Sequence, residues 1–178
     1  MDTPALYLIT GIMASGKSTV GQLLAERLEK SVHVRGDVFR KMIVSGREEM
    51  AAEASAEAFK QLRLRYQLAA SSAETYFTAG FSVVLQDVII GPMLNEMLQL
   101  ISARPLYLTV LCPDAAEVAR REARRGKTGY GRFAIEQLNR VLHEETEKRG
   151  LWLDSTRLTA EETVDEILRR APLEGKIL

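Results

Sequence analysis

The chain has 178 residues, the usual size of one domain, and we expect residues 1–178 to form a single domain. Hydrophobic residues make up 46% of it and charged residues 27%, so it can bury a core without disulfides or a structural metal. Its 24 basic residues balance its 24 acidic ones. This balance makes nucleic acid an unfavoured partner, because proteins that bind such polyanions usually carry a basic excess.

The chain contains one cysteine, Cys112, which cannot form a disulfide within the chain. A lone thiol at the end of a predicted strand is typical of a small buried residue in a reducing compartment. No apolar run is long enough to span a bilayer, and the N-terminal segment lacks the positive region of a secretory signal. We therefore expect a cytoplasmic protein that does not enter membranes and is a monomer or a homodimer.

Short apolar runs predict five strands. They lie at residues 5–10, 32–35, 82–86, 106–111 and 151–153. The first, third and fourth runs are nearly continuous in apolar residues, as in strands that are buried on both faces. Stretches with helical periodicity separate the runs, which favours an α/β fold with a parallel sheet and helices on both faces.

Several helix starts are visible between these strands. Residues 48–79 are Ala-rich and charged, and they predict one long helix or two helices with a bend. Pro92 suits the first position of a helix that runs to about residue 103. Two further starts have a capping residue followed by Glu three positions later: Asp114 with Glu117, and Thr159 with Glu162.

The segment at 11–19 reads GIMASGKST and matches the phosphate-loop pattern GxxxxGK[ST] between a strand and a helix. Its glycines let the backbone wrap around phosphate oxygens, and the start of the next helix adds free N–H groups. Lys17 can reach the β- and γ-phosphates of ATP, and the Ser18 hydroxyl can coordinate Mg²⁺. We expect nucleotide contacts from Gly11, Ala14, Ser15, Gly16, Lys17, Ser18 and Thr19.

Three features favour a small kinase over GTPases, motors and AAA-type machines, which share this loop. The chain ends soon after the fifth predicted strand, no NKxD guanine signature is present, and an arginine-rich segment follows the fourth strand. That segment, at about 120–132, predicts a lid that closes over the transferring phosphate. Arg121 and Arg125 share one helix face, and Arg120 and Arg124 share another, so one face can point at the nucleotide. The alternative is a solvated basic helix end.

Two acidic residues follow predicted strands and should face the phosphate loop, because ligands bind at the carboxyl ends of such strands. Asp37 can accept a proton from a substrate hydroxyl, or it can cap the helix that follows. Asp87 can hold Mg²⁺ through water or orient the substrate. Arg40, one turn beyond Asp37, can contact a phosphate or the substrate.

These residues resemble the chloramphenicol phosphotransferase-like family of small P-loop kinases and, more weakly, gluconate kinase and adenylylsulfate kinase. The matching segments are GIMASGKST at 11–19, GDVFR at 36–40, VVLQDVI at 83–89, RREARRG at 120–126 and LWLDSTRLTAEETVDEIL at 151–168. The match is poor at about 46–79, which in these kinases covers the acceptor. Lys127 and Thr128 also depart from the pattern, which moves part of the expected lid function to Arg132.

The resemblance implies a three-layer P-loop sandwich with five parallel strands in the order 2-3-1-4-5. It also implies ATP-dependent phosphorylation of a hydroxyl on a small molecule. Asp37 would then be the base, Lys17 and Ser18 would act on ATP and Mg²⁺, and Arg121 and Arg125 would belong to the lid. The loop at 154–156, with Ser155, would border the adenine.

Two alternatives stay open. The acceptor can instead be a sugar acid, a nucleoside or a nucleic-acid 5′ end. A protein of another class, an ATP-binding switch that changes conformation without transferring phosphate, would carry the same loop.

Overall fold

The computed structural model describes residues 3–51, 53–125 and 132–178. The strands are β1 (Leu6–Thr10), β2 (Ser31–Arg35), β3 (Ser82–Gln86), β4 (Leu106–Leu111), β5 (Leu151–Leu153) and β6 (Lys176–Ile177). The helices are α1 (Lys17–Arg27), α2 (Gly36–Lys41), α3 (Ala56–Thr78), α4 (Met93–Gln99), α5 (Ala115–Arg124), α6 (Arg132–Arg140) and α7 (Ala160–Glu174). A π-helical segment, Val141–Glu145, follows α6.

The five predicted strands form a parallel sheet in the order β2-β3-β1-β4-β5, which confirms the predicted order. The central strand β1 pairs on both sides, so that Leu6 lies opposite Val83 on β3 and Leu106 on β4. The sequence did not predict β6, a two-residue strand that pairs antiparallel to β4, with Ile177 opposite Leu106. Two residues are too few to show a strand periodicity.

Alternate residues of the sheet enter two separate apolar layers, as expected for buried strands with helices on both faces. Leu8 on β1 packs in the layer that contains Tyr66 of α3. Its neighbour Ile9 packs in the opposite layer with Leu24 of α1 and Ile167 of α7. The prediction of a three-layer fold is therefore confirmed.

Two helices are shorter than the sequence indicated. The long helix α3 begins only at Ala56, where the Ser55 side chain accepts a hydrogen bond from the backbone N–H of Ala58. The described residues between 48 and 55 form no helix. Helix α4 follows Pro92 but ends at Gln99 rather than near 103, because the chain then turns to bury Ile101 in the core.

Both predicted capping starts are confirmed. The Asp114 side chain accepts from the backbone N–H of Glu117 at 2.7 Å, and Thr159 and Glu162 form a complete capping box. The predicted lid is described as far as Arg125 and again from residue 132, so Lys127 and Thr128 lie outside the described residues. Within the described part of the chain, no helix is both long enough and apolar enough to cross a membrane.

Candidate active site

The phosphate loop connects the carboxyl end of β1 to the start of α1 and adopts an unusual backbone. Ala14 has a left-handed φ of 58°, which is rare for a residue with a side chain and is typical of functional loops. Gly11 lies against β4, where a Cβ would lie 2.5 Å from the carbonyl oxygen of Leu111. A glycine is therefore required at the first position of the motif by close backbone contact.

The first turn of α1 is open to an anion. Gly16 occupies the N-cap position, and no side chain caps the helix. The N–H groups of the first turn have no acceptor within the helix, and the positive end of the helix dipole lies at the same point. This arrangement is the one that binds phosphate oxygens at helix N-termini.

Lys17 is buried, and its hydrogen-bond acceptors in the described structure are both neutral. Its Nζ donates to the carbonyl oxygen of Ile12 at 2.7 Å and to Ser15 Oγ at 3.4 Å. Burial lowers the pKa of Lys17 from 10.5 to about 7, and the charges of Arg125 and Arg65 add to this effect. A bound phosphate would raise the pKa of Lys17 again, because a nearby anion favours the protonated ammonium.

Ser18, the predicted magnesium ligand, lies in the first turn of α1 beside the end of β3, and its contact with Mg²⁺ stays a prediction. Its Oγ accepts a hydrogen bond from Gln86 Nε2, the last residue of β3, at 3.3 Å. Among the residues that the structure describes, no three His, Cys, Asp or Glu side chains cluster to hold a metal. Mg²⁺ at nucleotide sites is usually held by phosphate oxygens, water and one or two protein oxygens.

Asp87 is buried, and both of its oxygens have partners within the protein. Arg65 of α3 donates from Nε to Oδ2 at 2.6 Å and from Nη2 to Oδ1, and the backbone N–H of Val88 donates to Oδ1 at 2.7 Å. Its predicted contact with Mg²⁺ or substrate stays a prediction. Sequence reasoning missed Arg65, which belongs to no recognised motif, and gave no role to Gln86, although it lies in the matching segment VVLQDVI at 83–89.

Asp37 lies in the first turn of α2, and the residue at the N-cap position is Arg35. The interpretation of Asp37 as that helix's capping residue is therefore wrong. Its Oδ1 accepts from Arg40 Nε at 2.9 Å, its Oδ2 accepts from Lys41 Nζ at 2.6 Å, and its side chain is 40% exposed. Burial raises the pKa of Asp37, but hydrogen bonds and charge from Lys41 and Arg40 outweigh burial and lower it overall. Asp37 is thus an accessible carboxylate at neutral pH.

Arg40 extends the charged group around Asp37 towards the segment before α3. Its Nη1 donates to Glu49 Oε2 at 2.5 Å, while its Nε donates to Asp37 Oδ1. The structure therefore brings Arg40 next to the predicted base. Its predicted contact with phosphate or substrate stays a prediction.

Arg121 faces the phosphate loop. Its Nη1 donates to the carbonyl oxygen of Ser15 and its Nη2 to that of Ser155, both at 3.1 Å, while Nε donates to Glu117 Oε1 at 2.8 Å. The adjacent Arg120 points to solvent, with a side chain that is 63% exposed and paired with Glu117. The sequence left open which face of α5 points at the nucleotide. The face with Arg121 contacts the phosphate loop, and the face with Arg120 is exposed.

Arg125 follows α5 directly and is half exposed, and its Nη1 lies 3.8 Å from Glu122 Oε2. Its charge lowers the pKa of Lys17, although burial has the larger effect. The charge of Arg125 thus acts on Lys17 in the phosphate loop, while its predicted roles in the lid and in catalysis stay predictions.

A cleft of about 250 Å³ lies between the phosphate loop, α5 and the loop after β5. Ser155 lines it and is buried, and its Oγ has no hydrogen-bond partner within the described structure. A buried hydroxyl without a partner is unfavourable unless a ligand supplies one. The remaining lining residues are Ser15, Gly16, Thr19, Val20, Arg121, Leu158, Ala160 and Thr163.

The sequence profile of a protein family described as an AAA domain matches residues 6–167. No curated protein has a sequence that matches this chain significantly.

Solved structures of low sequence identity share the fold. A tunicamycin resistance protein from Deinococcus radiodurans has 16% identity and a TM-score of 0.67, with 99% of this chain and 100% of that chain covered. A gluconokinase from Sinorhizobium meliloti has 17% identity and a TM-score of 0.63, with 97% and 96% covered. The APS kinase CysC of Mycobacterium tuberculosis, as a Cys556Ala mutant, has 13% identity and a TM-score of 0.59, with 95% and 97% covered. At such identities the likeness establishes the fold alone.

Proposed function

Because the chain belongs to the AAA domain family and has the fold of P-loop kinases, we propose that it transfers the γ-phosphoryl group of ATP to a hydroxyl of a small molecule. One observation carries the proposal. The buried Lys17, at an uncapped helix start, and the accessible carboxylate of Asp37 both lie at the carboxyl edge of the sheet. Such an edge is where open α/β sheets bind their ligands.

The donor nucleotide would lie along the phosphate loop, with its base in the cleft that Ser155 lines. The free N–H groups of α1 would bind the β-phosphate, and Thr19 at the cleft would approach the α-phosphate. Lys17 would hold the γ-phosphoryl group in its charged form. Mg²⁺, held by Ser18 and phosphate oxygens, would neutralise part of the phosphate charge.

Asp37 would accept the proton of the acceptor hydroxyl as its oxygen bonds to the γ-phosphorus. The bond from that phosphorus to the bridging oxygen breaks, and ADP leaves with the electron pair. Arg125 would approach from the lid and stabilise the charge on the equatorial oxygens. Most of the catalysis then comes from positioning and electrostatic stabilisation, as is usual for phosphoryl transfer.

The acceptor is the less defined part of the proposal. Resemblance to chloramphenicol phosphotransferases favours a hydroxyl compound of antibiotic type. The likeness to a gluconokinase and an APS kinase supports a sugar acid or a nucleoside derivative as the alternative. A cytoplasmic location, where ATP is abundant, fits either acceptor.

The first test compares the wild-type chain with Asp37→Asn and with Asp165→Asn. Asp165 is a surface carboxylate of α7, 62% exposed and paired with Arg27. Antibiotics, sugar acids and nucleosides are screened for ADP release above background. We expect Asp37→Asn to lower the transfer rate by about 10²- to 10⁴-fold, the usual contribution of a general base. Its affinity for ATP should change little, and Asp165→Asn should match the wild type in both measurements.

Undiminished transfer by Asp37→Asn would refute its assignment as the base. The switch alternative makes a different prediction for Asp37→Ala. If no acceptor stimulates ADP release and this variant keeps its nucleotide-dependent conformational change, the switch is favoured.

A further inference from the structure

Arg65 lies on α3, outside every motif that the sequence suggested, yet it is held firmly at the site. Its side chain is 13% exposed, and its fork of Nε and Nη2 binds both oxygens of Asp87, which is 2% exposed. Burial lowers the pKa of Arg65, while the negative charge of Asp37 acts in the opposite direction. A bidentate pair of this kind fixes the plane of the guanidinium as well as its position.

The pairing leaves one nitrogen of Arg65 free. Its Nη1 makes no hydrogen bond with any residue that the structure describes, and it is not among the polar atoms that are buried without a partner. Nη1 is therefore open to a ligand. The Asp87 carboxylate orients it, because the other two nitrogens are engaged.

Asp87, the carboxylate that holds Arg65, follows β3 and lies between the phosphate loop after β1 and the predicted base after β2. Gln86, at the end of β3, donates to Ser18 of the loop, and Asp87 follows it directly. On the other side, a Cβ on Gly36 would lie 2.5 Å from Asp87 Cγ, and Asp37 is the next residue. Groups predicted to serve the nucleotide and the acceptor thus lie on either side of the carboxylate that holds Arg65.

We propose that Arg65 binds the transferring phosphoryl group through Nη1, with Asp87 as the residue that positions it. This inference rests on the proposed kinase function and adds a catalytic residue to it. The transition state spreads negative charge over three equatorial oxygens, and fixed donors stabilise it without reorganisation. The arginine is supplied by α3, in the region that covers the acceptor.

The test uses Arg65→Lys, because lysine keeps the positive charge beside Asp87. A lysine ammonium cannot bind both Asp87 oxygens as a planar fork and at the same time present a third, fixed donor to a ligand. Arg63→Lys is the matched control. Arg63 lies two residues earlier on α3 and makes the same kind of fork, to Glu96 at 2.8 and 3.0 Å, but its side chain is 49% exposed. The probe is Mg²⁺-ADP with aluminium fluoride, which mimics the transferring phosphoryl group and requires no acceptor. Binding is measured by calorimetry beside Mg²⁺-ADP alone.

We expect Arg65→Lys to lose roughly 10²-fold in affinity for the fluoride complex, the usual cost of removing one transition-state donor. Its affinity for Mg²⁺-ADP and its melting temperature should stay close to those of Arg63→Lys. Where an acceptor is available, kcat should fall and the KM for ATP should not. If the role of Arg65 were purely structural, Arg65→Lys would weaken the fluoride complex and Mg²⁺-ADP by the same factor.

If Arg65→Lys does not fold, a second pair of variants replaces it. The double variant Arg65→Met/Asp87→Asn removes both buried charges, and its affinity for the fluoride complex is compared with that of Asp87→Asn alone. Loss of the fluoride complex relative to Asp87→Asn supports the proposal. Wild-type affinity for the fluoride complex in either Arg65 variant overturns it and leaves the proposed kinase function standing. That function fails on a different result, the absence of acceptor-stimulated ADP release by the wild-type chain.

Discussion

Gly36 and Asp87 face each other at the carboxyl ends of β2 and β3, so closely that a Cβ on Gly36 would lie 2.5 Å from Asp87 Cγ and 3.0 Å from Asp87 Cβ. The strand register brings them together, because Arg35 pairs with Gln86 one position earlier. The small residue before Asp37 therefore makes room for the carboxylate that holds Arg65. The positions of Asp37 and Asp87 therefore both depend on the contact between Gly36 and Asp87.

Substitution of Gly36 by Ala should displace the Asp87 carboxylate, because the added Cβ would overlap it. We expect the free energy of unfolding to fall by about 1–3 kcal/mol, the usual cost of an overpacked interior position, and acceptor transfer to fall with it. Chemical denaturation measures the first effect and an ADP-release assay the second.

The steric explanation can be separated from a general sensitivity of α2 by a double-mutant cycle with Asp87→Ala. Removing the carboxylate relieves the overlap, so Gly36→Ala should cost less in the Asp87→Ala background than in the wild type. If the two substitutions lowered the free energy of unfolding additively, the contact between residue 36 and the Asp87 carboxylate would not be the cause of the loss.

Nucleotide binding should be coupled to proton uptake by Lys17. The pKa of Lys17 is about 7 in the nucleotide-free protein, so at pH 8 to 9 most of the side chain is neutral. Phosphate favours the charged ammonium and raises this pKa, so we expect uptake approaching about one proton per ATP in that range. Affinity for ATP should accordingly decline as the pH rises above 7. Calorimetry in buffers of different ionisation enthalpy measures the uptake.

Lys17→Arg is the control for this proton, because an arginine stays protonated in both states. Its residual ATP binding should show the same heat in every buffer. A wild-type binding heat that is also independent of the buffer would mean that Lys17 is already charged before nucleotide arrives.

Arg121 should matter for nucleotide affinity. It joins the carbonyl oxygens of Ser15 and Ser155, which lie on opposite sides of the cleft. Hydrogen bonds from a charged donor contribute about 1.5–3 kcal/mol, so Arg121→Met should weaken ATP binding by roughly 10- to 100-fold. Arg120→Met, on the exposed face of the same helix, should bind ATP like the wild type in a fluorescence titration. Equal effects of the two substitutions would argue against this role.

His33 should make the fold sensitive to mild acid. Its Nδ1 lies 3.0 Å from Gln22 Oε1, and its buried Nε2 has no hydrogen-bond partner among the described residues. Burial, with a smaller effect from Arg35, lowers the pKa of His33 to about 4. The unfolded chain, with a histidine pKa near 6.5, binds more protons between pH 6.5 and 4, so the free energy of unfolding falls as the pH falls through that window.

Urea denaturation at intervals from pH 7 to 4 measures this dependence. We expect His33→Gln to flatten it and His143→Gln, at an exposed position, to leave it unchanged. An identical slope in the wild type and in His33→Gln would show that other groups control the acid sensitivity.

Much of the framework could be predicted because its signals are local. The capping residues Asp114 and Thr159 act on N–H groups three positions away, and the phosphate loop needs only a strand before it and a helix after it. The strand pattern also located β1 to β5, although the order of the strands came from a family resemblance. Sequence alone did not show where α3 begins, since the composition at 48–55 also suits a helix.

Within the site, the sequence by itself determined the chemistry that is available: a phosphate loop with Lys17 and Ser18, and acidic residues at two strand ends. Only the tertiary structure decided the partners of those residues. The register of β2 and β3 places Gly36 against Asp87, and the packing of α3 brings Arg65 to the same carboxylate. Arg121 reaches Ser15 across a separation of 106 residues. Such contacts have no period in the sequence, because they depend on where whole elements meet.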